Sequence, residues 1–156
     1  MIIKLVTRIA VYGTPEPGGS KRWVGRVVDA NPRAKGWQAN VARAAAEQYT
    51  GELLDGPLAV EMTFYRLRPR GHFGTGRNAH RVKPSAPIAP VSRPDALKLA
   101  RAVEDALEGV VYRNDAQIVE ESLAKRWGEP ERCEIAVYRM GTVAAPEAAE
   151  TEEAVA

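Results

Sequence analysis

A chain of 156 residues can build one domain with its own core, and it holds no run of about 18 apolar residues of the kind that crosses a membrane. Its net charge of +2 hides an asymmetry. The last 16 residues hold four Glu and no Lys or Arg, which leaves 22 basic against 16 acidic residues before them, or +6. Cys133 is the only cysteine, so no internal disulfide can form, and with two histidines a Cys/His zinc site within the chain is excluded as a working idea.

In chain order, residues 2–12 are apolar and β-branched and predict a first strand. They lack the long apolar run and small-residue cleavage site of a signal peptide, so a reducing, cytoplasmic location is expected. The Pro/Gly-rich GTPEPGGSKR is a loop. Trp23–Val28 predicts a second, short strand. From Ala34 to Tyr49 the spacing of Trp37, Val41, Ala44 and Ala45 predicts a helix with one apolar stripe, stopped near Gly51. Leu58–Leu67 predicts a strand with Leu58, Val60, Met62 and Phe64 on one face.

Residues 69–92 have no periodicity, and an irregular stretch this long is usually functional or mobile. The GHFGTGR within it lacks the Gly-Lys-Ser/Thr ending of a phosphate loop. A second helix is predicted from about Pro94 to Glu108, ended by Gly109, with Ala96, Leu99, Ala100, Val103, Ala106 and Leu107 facing the core. Lys98, Arg101 and Asp105 share its polar face. Val110–Tyr112, 116–127 and 132–140 predict three more strands, the last two joined as a hairpin at Gly128-Glu129-Pro130. The Ala/Glu-rich end is expected to be disordered. The result is an α+β domain over residues 1–140, a mixed sheet with two helices on one face, followed by an acidic tail, 141–156.

Charge position indicates a partner. From Met62 to Pro94 there is no Asp or Glu, while Arg66, Arg68, Arg70, Arg77, Arg81, Lys83 and Arg93 all fall there. A block of one sign points to an anionic polymer, most naturally nucleic acid. The alternative is a solvated basic loop. Lys21 and Arg22, just after the Pro/Gly loop, are further candidate phosphate contacts, as are Arg93 and Lys98. Trp23, Trp37 and Trp127 suit core or interface positions better than base stacking.

Two acids frame the second helix. Asp95 opens it, where it could complement the helix dipole as a cap or could ligate a hard cation. Asp115 follows the reversal at Gly109, where it could shape an Asx turn or serve as the second ligand. Arg101 could offset charge on a phosphate or could pair with Asp105.

The segment R-P-D-A-L-K-L-A-R-A-V-E-D-A-L-E-G-V-V-Y-R-N-D-A-Q-I resembles the RusA-type Holliday-junction resolvases, whose pattern is K/R-P-D-x-D-N-L-x-K-x-x-x-D-x-L-x-G-x-x-x-x-D-D-x-Q-I/V. The opening G-T-P-E-P-G-G-S-K-R is also similar to that family's Gly-Pro-rich start, and the likeness spans roughly residues 8–140. The resemblance implies a small homodimeric, Mg²⁺-dependent endonuclease (Mn²⁺ as a substitute) acting on four-way or branched DNA, of the kind found in phages and prophages. It assigns metal-binding and catalytic roles to Asp95 and Asp115 and a charge-offsetting role to Arg101. The chain departs from the pattern at three places. Leu97 stands where the family has its second acid, Lys98 replaces the following Asn, and Asn114 replaces the first Asp of the pair. Asp105 cannot take the missing place, since ten helical residues rise about 15 Å. A junction-binding protein with weak cleavage is therefore a competing expectation, and an RNA-binding α+β module a more distant one.

Overall fold

The computed structural model describes residues 1–19 and 21–142. The expected disordered tail lies almost wholly outside the described residues; only its first two positions are inside, and Gly141 ends a strand. The strands are β1 (Ile2–Tyr12), β2 (Lys21–Trp23), β3 (Val27–Asp29), β4 (Leu58–Arg66), β5 (Ile118–Trp127) and β6 (Arg132–Gly141). The helices are α1 (Ala34–Gln48) and α2 (Ala96–Leu107). β1, β6, β4 and β5 form one mixed sheet in that order, and β2 and β3 form a separate two-stranded ribbon. Both helices pack on one face of the four-stranded sheet, giving the expected α+β arrangement.

Alternation along the strands explains which face is covered. Ile9 and Val11 of β1, Val60, Met62 and Phe64 of β4, and Cys133, Ile135 and Val137 of β6 are buried in register, Ile9 opposite Ile135 and Ile135 opposite Met62. Trp37, Val41 and Ala45 of α1 and Leu99, Val103 and Leu107 of α2 close over them. Burial also pushes the Cys133 thiol pKa upward, which makes it an inert core group.

β4 and β5 run parallel, which requires a crossover, and α2 supplies it. The expected β5–β6 hairpin does not form, because β4 lies between the two strands. The connecting turn passes over the end of β4: the Gly128 N–H donates to Arg66 O at 3.0 Å, and a Cβ on Gly128 would lie 2.5 Å from the Tyr65 ring. Proximity along the chain suggested a hairpin; instead the turn spans the end of β4, with Gly128 lying close against Tyr65.

Two more expectations change. Val110–Tyr112 is a tight turn rather than a strand. Gly109, at φ +80°, donates its N–H to Tyr112 O, and Tyr112 is fully buried with its hydroxyl donating to Glu104 O at 2.7 Å. Trp23–Val28 is split by a turn at Gly25 into β2 and β3, and Trp23 is 73% exposed. Trp37 is buried as expected. The 69–92 stretch is better ordered than its composition predicts. It contains 3₁₀ turns at Arg70–His72 and Gly76–Asn78 and a bridge between Phe73 and Val82.

Candidate active site

The site is built along α2. The Gly-rich loop lies directly on this helix: Gly18 donates its N–H to Lys98 O at 3.0 Å, and a Cβ there would meet Ala102 at 3.1 Å. Gly19, at φ +84°, would bring a Cβ within 2.7 Å of the Arg101 side chain. Two glycines are thus needed to seat the loop on α2, and the loop carries Lys21 toward the same face. Lys21 comes within Coulombic reach of Asp105.

At the N-terminal end of α2 lies a cleft of about 450 Å³, lined by Thr14, Glu16, Asn31, Arg33, Arg66, Arg93, Asp95 and Lys98 among others. Glu16 is engaged in holding the loop, accepting from Asn31 Nδ2 at 3.1 Å with Arg33 at 3.9 Å. Arg66 pairs with Glu131 at 3.4 Å. Asp95 differs from both. It occupies the N-cap position, yet its side chain makes no capping hydrogen bond, and the residue is exposed. The capping reading of Asp95 is not realised; its carboxylate faces an open cleft bearing Arg33, Arg93 and Lys98.

Asp115 lies at the other end of the motif. The turn chemistry expected of it belongs to its neighbour: Asn114 Oδ1 accepts from the Ala116 N–H at 2.8 Å, completing a capping box with Gln117. Gln117 holds the turn with four bonds, accepting from the N–H groups of Arg113 and Asn114 and donating to Leu54 O and Gly56 O, all between 2.9 and 3.0 Å. Gln117→Ala should therefore cost about 2 kcal/mol from several lost modest bonds. Thermal melting of the variant should show a Tm lower by several degrees; an unchanged Tm would refute this role.

The reversal at Gly109 sets Asp115 beside the second half of α2. Its N–H meets Glu108 Oε2 at 3.4 Å, and its charge is felt by Glu104 and Asp105. From Asp95 to Glu104 the helix rises about 13 Å. Asp95 and Asp115 thus stand toward opposite ends of one polar helix face, with Lys98 and Arg101 between. Burial, then the charge of Asp115, raises the Asp105 pKa, while Arg101 and Lys21 lower it.

Glu104 is the residue that sequence reasoning missed. It is half-buried against β5. Burial first, then a hydrogen bond and charge from Glu121, then the charge of Asp115, raise its pKa from the ordinary 4.5 to about 8; Arg101 opposes them. The available signal was in β5, where alternation points Glu121 inward beside Leu123. Because the folded carboxyl keeps its proton to higher pH than the unfolded one, its contribution to stability is complete below about 4.5 and is lost as pH rises through about 8. Glu104→Gln should remove that decline. Discounted for solvent around a half-exposed group, the gain at alkaline pH is on the order of 1 kcal/mol. Melting curves of the two proteins across this range should converge at acid pH and separate at alkaline pH; parallel curves would rule out the raised pKa of Glu104.

Among the described residues no three His, Cys, Asp or Glu side chains form a group able to hold a metal. Mg²⁺ is commonly held by one or two carboxylates, with water and substrate phosphate completing the shell. Asp95, an exposed carboxylate in a cleft also lined by Arg33, Arg93 and Lys98, fits that mode.

The α+β scaffold thus sets carboxylates among guanidinium and ammonium groups along one helix. The sequence pattern of the family described as "Endodeoxyribonuclease RusA" matches residues 12–138, and the chain belongs to this family, whose activity at family level is that of a Holliday-junction endonuclease. It is also similar to the uncharacterized protein YqaN of Bacillus subtilis (strain 168), 26% identical over 138 residues that cover 85% of this chain and 96% of YqaN. No helix among the described residues is long and apolar enough to cross a membrane.

Proposed function

We propose that this protein is a structure-selective endodeoxyribonuclease that resolves four-way DNA junctions by hydrolysing phosphodiesters in opposed strands. The observation that carries this reading is Asp95, an N-cap carboxylate free of its helix and facing a basic cleft. Membership of the nuclease family supports it.

Asp95 is the carboxylate that would hold a divalent cation, Mg²⁺ with Mn²⁺ as a substitute, with water and substrate phosphate completing its shell; Asp115, toward the other end of the helix face, stands too far along it to share the same ion. Such a cation polarises a phosphodiester and lowers the pKa of water. The protein's own part is to bind and orient. Arg93 and Lys98 at the cleft, with Lys21 and Arg22 on the ribbon, attract phosphates and set the strand's register. Arg101, between the two acids, offsets the negative charge that grows on the phosphate as its bond breaks. The basic stretch between Arg66 and Arg93 grips the junction arms through phosphates, so binding falls steeply with salt. Nicking two opposed strands calls for a two-fold homodimer with one site in each subunit.

A second reading is favoured by one feature: the protein binds junctions but cuts them weakly. Leu97 occupies the second acid position of the family pattern, and no three-acid group forms among the described residues. Incubation with a synthetic four-way junction and Mg²⁺ or Mn²⁺ separates the two. Nicked duplexes establish the nuclease, whereas a tight gel shift without products establishes the binder.

A further inference from the structure

The long basic loop ends in a segment fastened at both sides. Pro87 O accepts from Trp127 Nε1 at 3.0 Å and from Arg68 at 2.9 Å, and Arg68 also lies over the Trp127 ring, 5.3 Å from its centre. Five residues on, Ser92 O accepts from Lys125 Nζ at 2.9 Å, and the same ammonium binds Pro94 O at 3.1 Å. Lys125 sits on the helix-facing side of β5, where an apolar residue would be expected, and here it is the peg that holds the loop. Between these anchors Pro90 is buried. Ile88 and Val91, by contrast, are 94% and 82% exposed.

Scattered exposed apolar side chains are ordinary. Two that are almost wholly exposed on a pinned segment beside a cleft are a different matter. The segment lies within a stretch that has seven Lys or Arg and no acid, and it leads directly into Arg93 and Asp95. An apolar tip in uniformly basic surroundings fits a partner that is anionic outside and apolar within, and stacked base pairs are such a partner. Ile is among the side chains that enter base steps as wedges. Opening a step costs least where stacking is already broken, as at a branch point.

We propose that Ile88 and Val91 form a wedge that enters the base stack at the branch point of a DNA junction and directs the adjoining strand into the cleft at Asp95. The inference rests on the junction substrate proposed above, but not on cleavage.

The test uses a synthetic four-way junction with 2-aminopurine at the branch point, and a linear duplex of matching sequence, both in EDTA so that no strand is cut. The full-length protein should raise the junction fluorescence several-fold on binding. The double variant Ile88→Ser/Val91→Ser should lose that rise and retain its duplex affinity, and its preference for junction over duplex should fall about tenfold. Ile88→Leu/Val91→Leu should restore both. The proposal is overturned if the Ser variant keeps the fluorescence rise, or if it loses duplex and junction affinity equally. It is also overturned if sedimentation shows the Ser variant splitting a dimer into single chains, since the patch would then join two copies. A parallel nicking assay with Mg²⁺ keeps the two ideas separate. A fluorescence rise without nicking retires the nuclease and leaves the wedge, and nicking without a rise does the reverse.

Discussion

Asp95→Asn is expected to lower junction nicking by about 10²–10³-fold, the size of effect seen when one group that stabilises charge at the reacting centre is removed, while junction binding is kept or strengthened. The substitution isolates charge from structure. Asn and Asp are comparable N-cap residues, and the Asp95 side chain makes no capping bond that the amide could forfeit, so the variant should lose no more than the ~0.3–1 kcal/mol that a charge at a helix N-terminus contributes. Binding should not suffer, because a negative charge leaves a cleft lined by Arg33, Arg66, Arg93 and Lys98 and the repulsion between Asp95 and an incoming phosphate disappears. Single-turnover nicking and gel-shift titration on the same junction give the two numbers. Nicking within twofold of wild type would show Asp95 to be a bystander at a helix start and would remove the carboxylate on which the catalytic assignment stands.

The parts of the fold that were legible in sequence are those set by local periodicity. β1, α1, β4, α2 and β6 begin and end within a few residues of where alternation or helical spacing places them, because each must bury one face and nothing in the tertiary structure opposes it. The parts that were not legible depend on what crosses over what. Nothing local distinguishes a hairpin at Gly128 from a strand passing over Tyr65, since both use the same turn residues. The apolar Val110–Tyr112 reads as a strand, yet the Gly109 turn and the Tyr112 hydroxyl bond to Glu104 leave it no room to extend. The site divides in the same way. Asp95, Lys98 and Arg101 could be placed because they share one helix. The proximity of Glu104 to Glu121, and the grip of Lys125 on Ser92 and Pro94, join residues distant along the chain. Only the inward alternation of β5 hinted at either.

The other large effect expected is a gain. Leu97→Asp should raise metal-dependent nicking by at least about tenfold, and less Mg²⁺ or Mn²⁺ should be needed for half-maximal rate, in keeping with the 10–100-fold consequences of altering groups around a metal site. Leu97 is 72% exposed in the first turn of α2, so the substitution leaves no cavity. That turn holds no acid at present, and an acid there complements the helix N-terminus by about 0.3–1 kcal/mol. The variant should thus be as stable as the wild type or slightly more so, which removes instability as an explanation for any failure. An added carboxylate two residues from Asp95 changes what the cleft can hold without disturbing the basic residues that bind the strand. Junction affinity in EDTA should weaken modestly, because a negative charge has entered a phosphate-binding surface, and should recover on addition of the cation, which cancels that charge. This reversal of sign between EDTA and metal is what distinguishes a new ligand from a mere surface change. If affinity weakens equally with and without the cation, and nicking stays at the wild-type rate, position 97 does not face the metal and Asp95 does not lie where the reaction occurs.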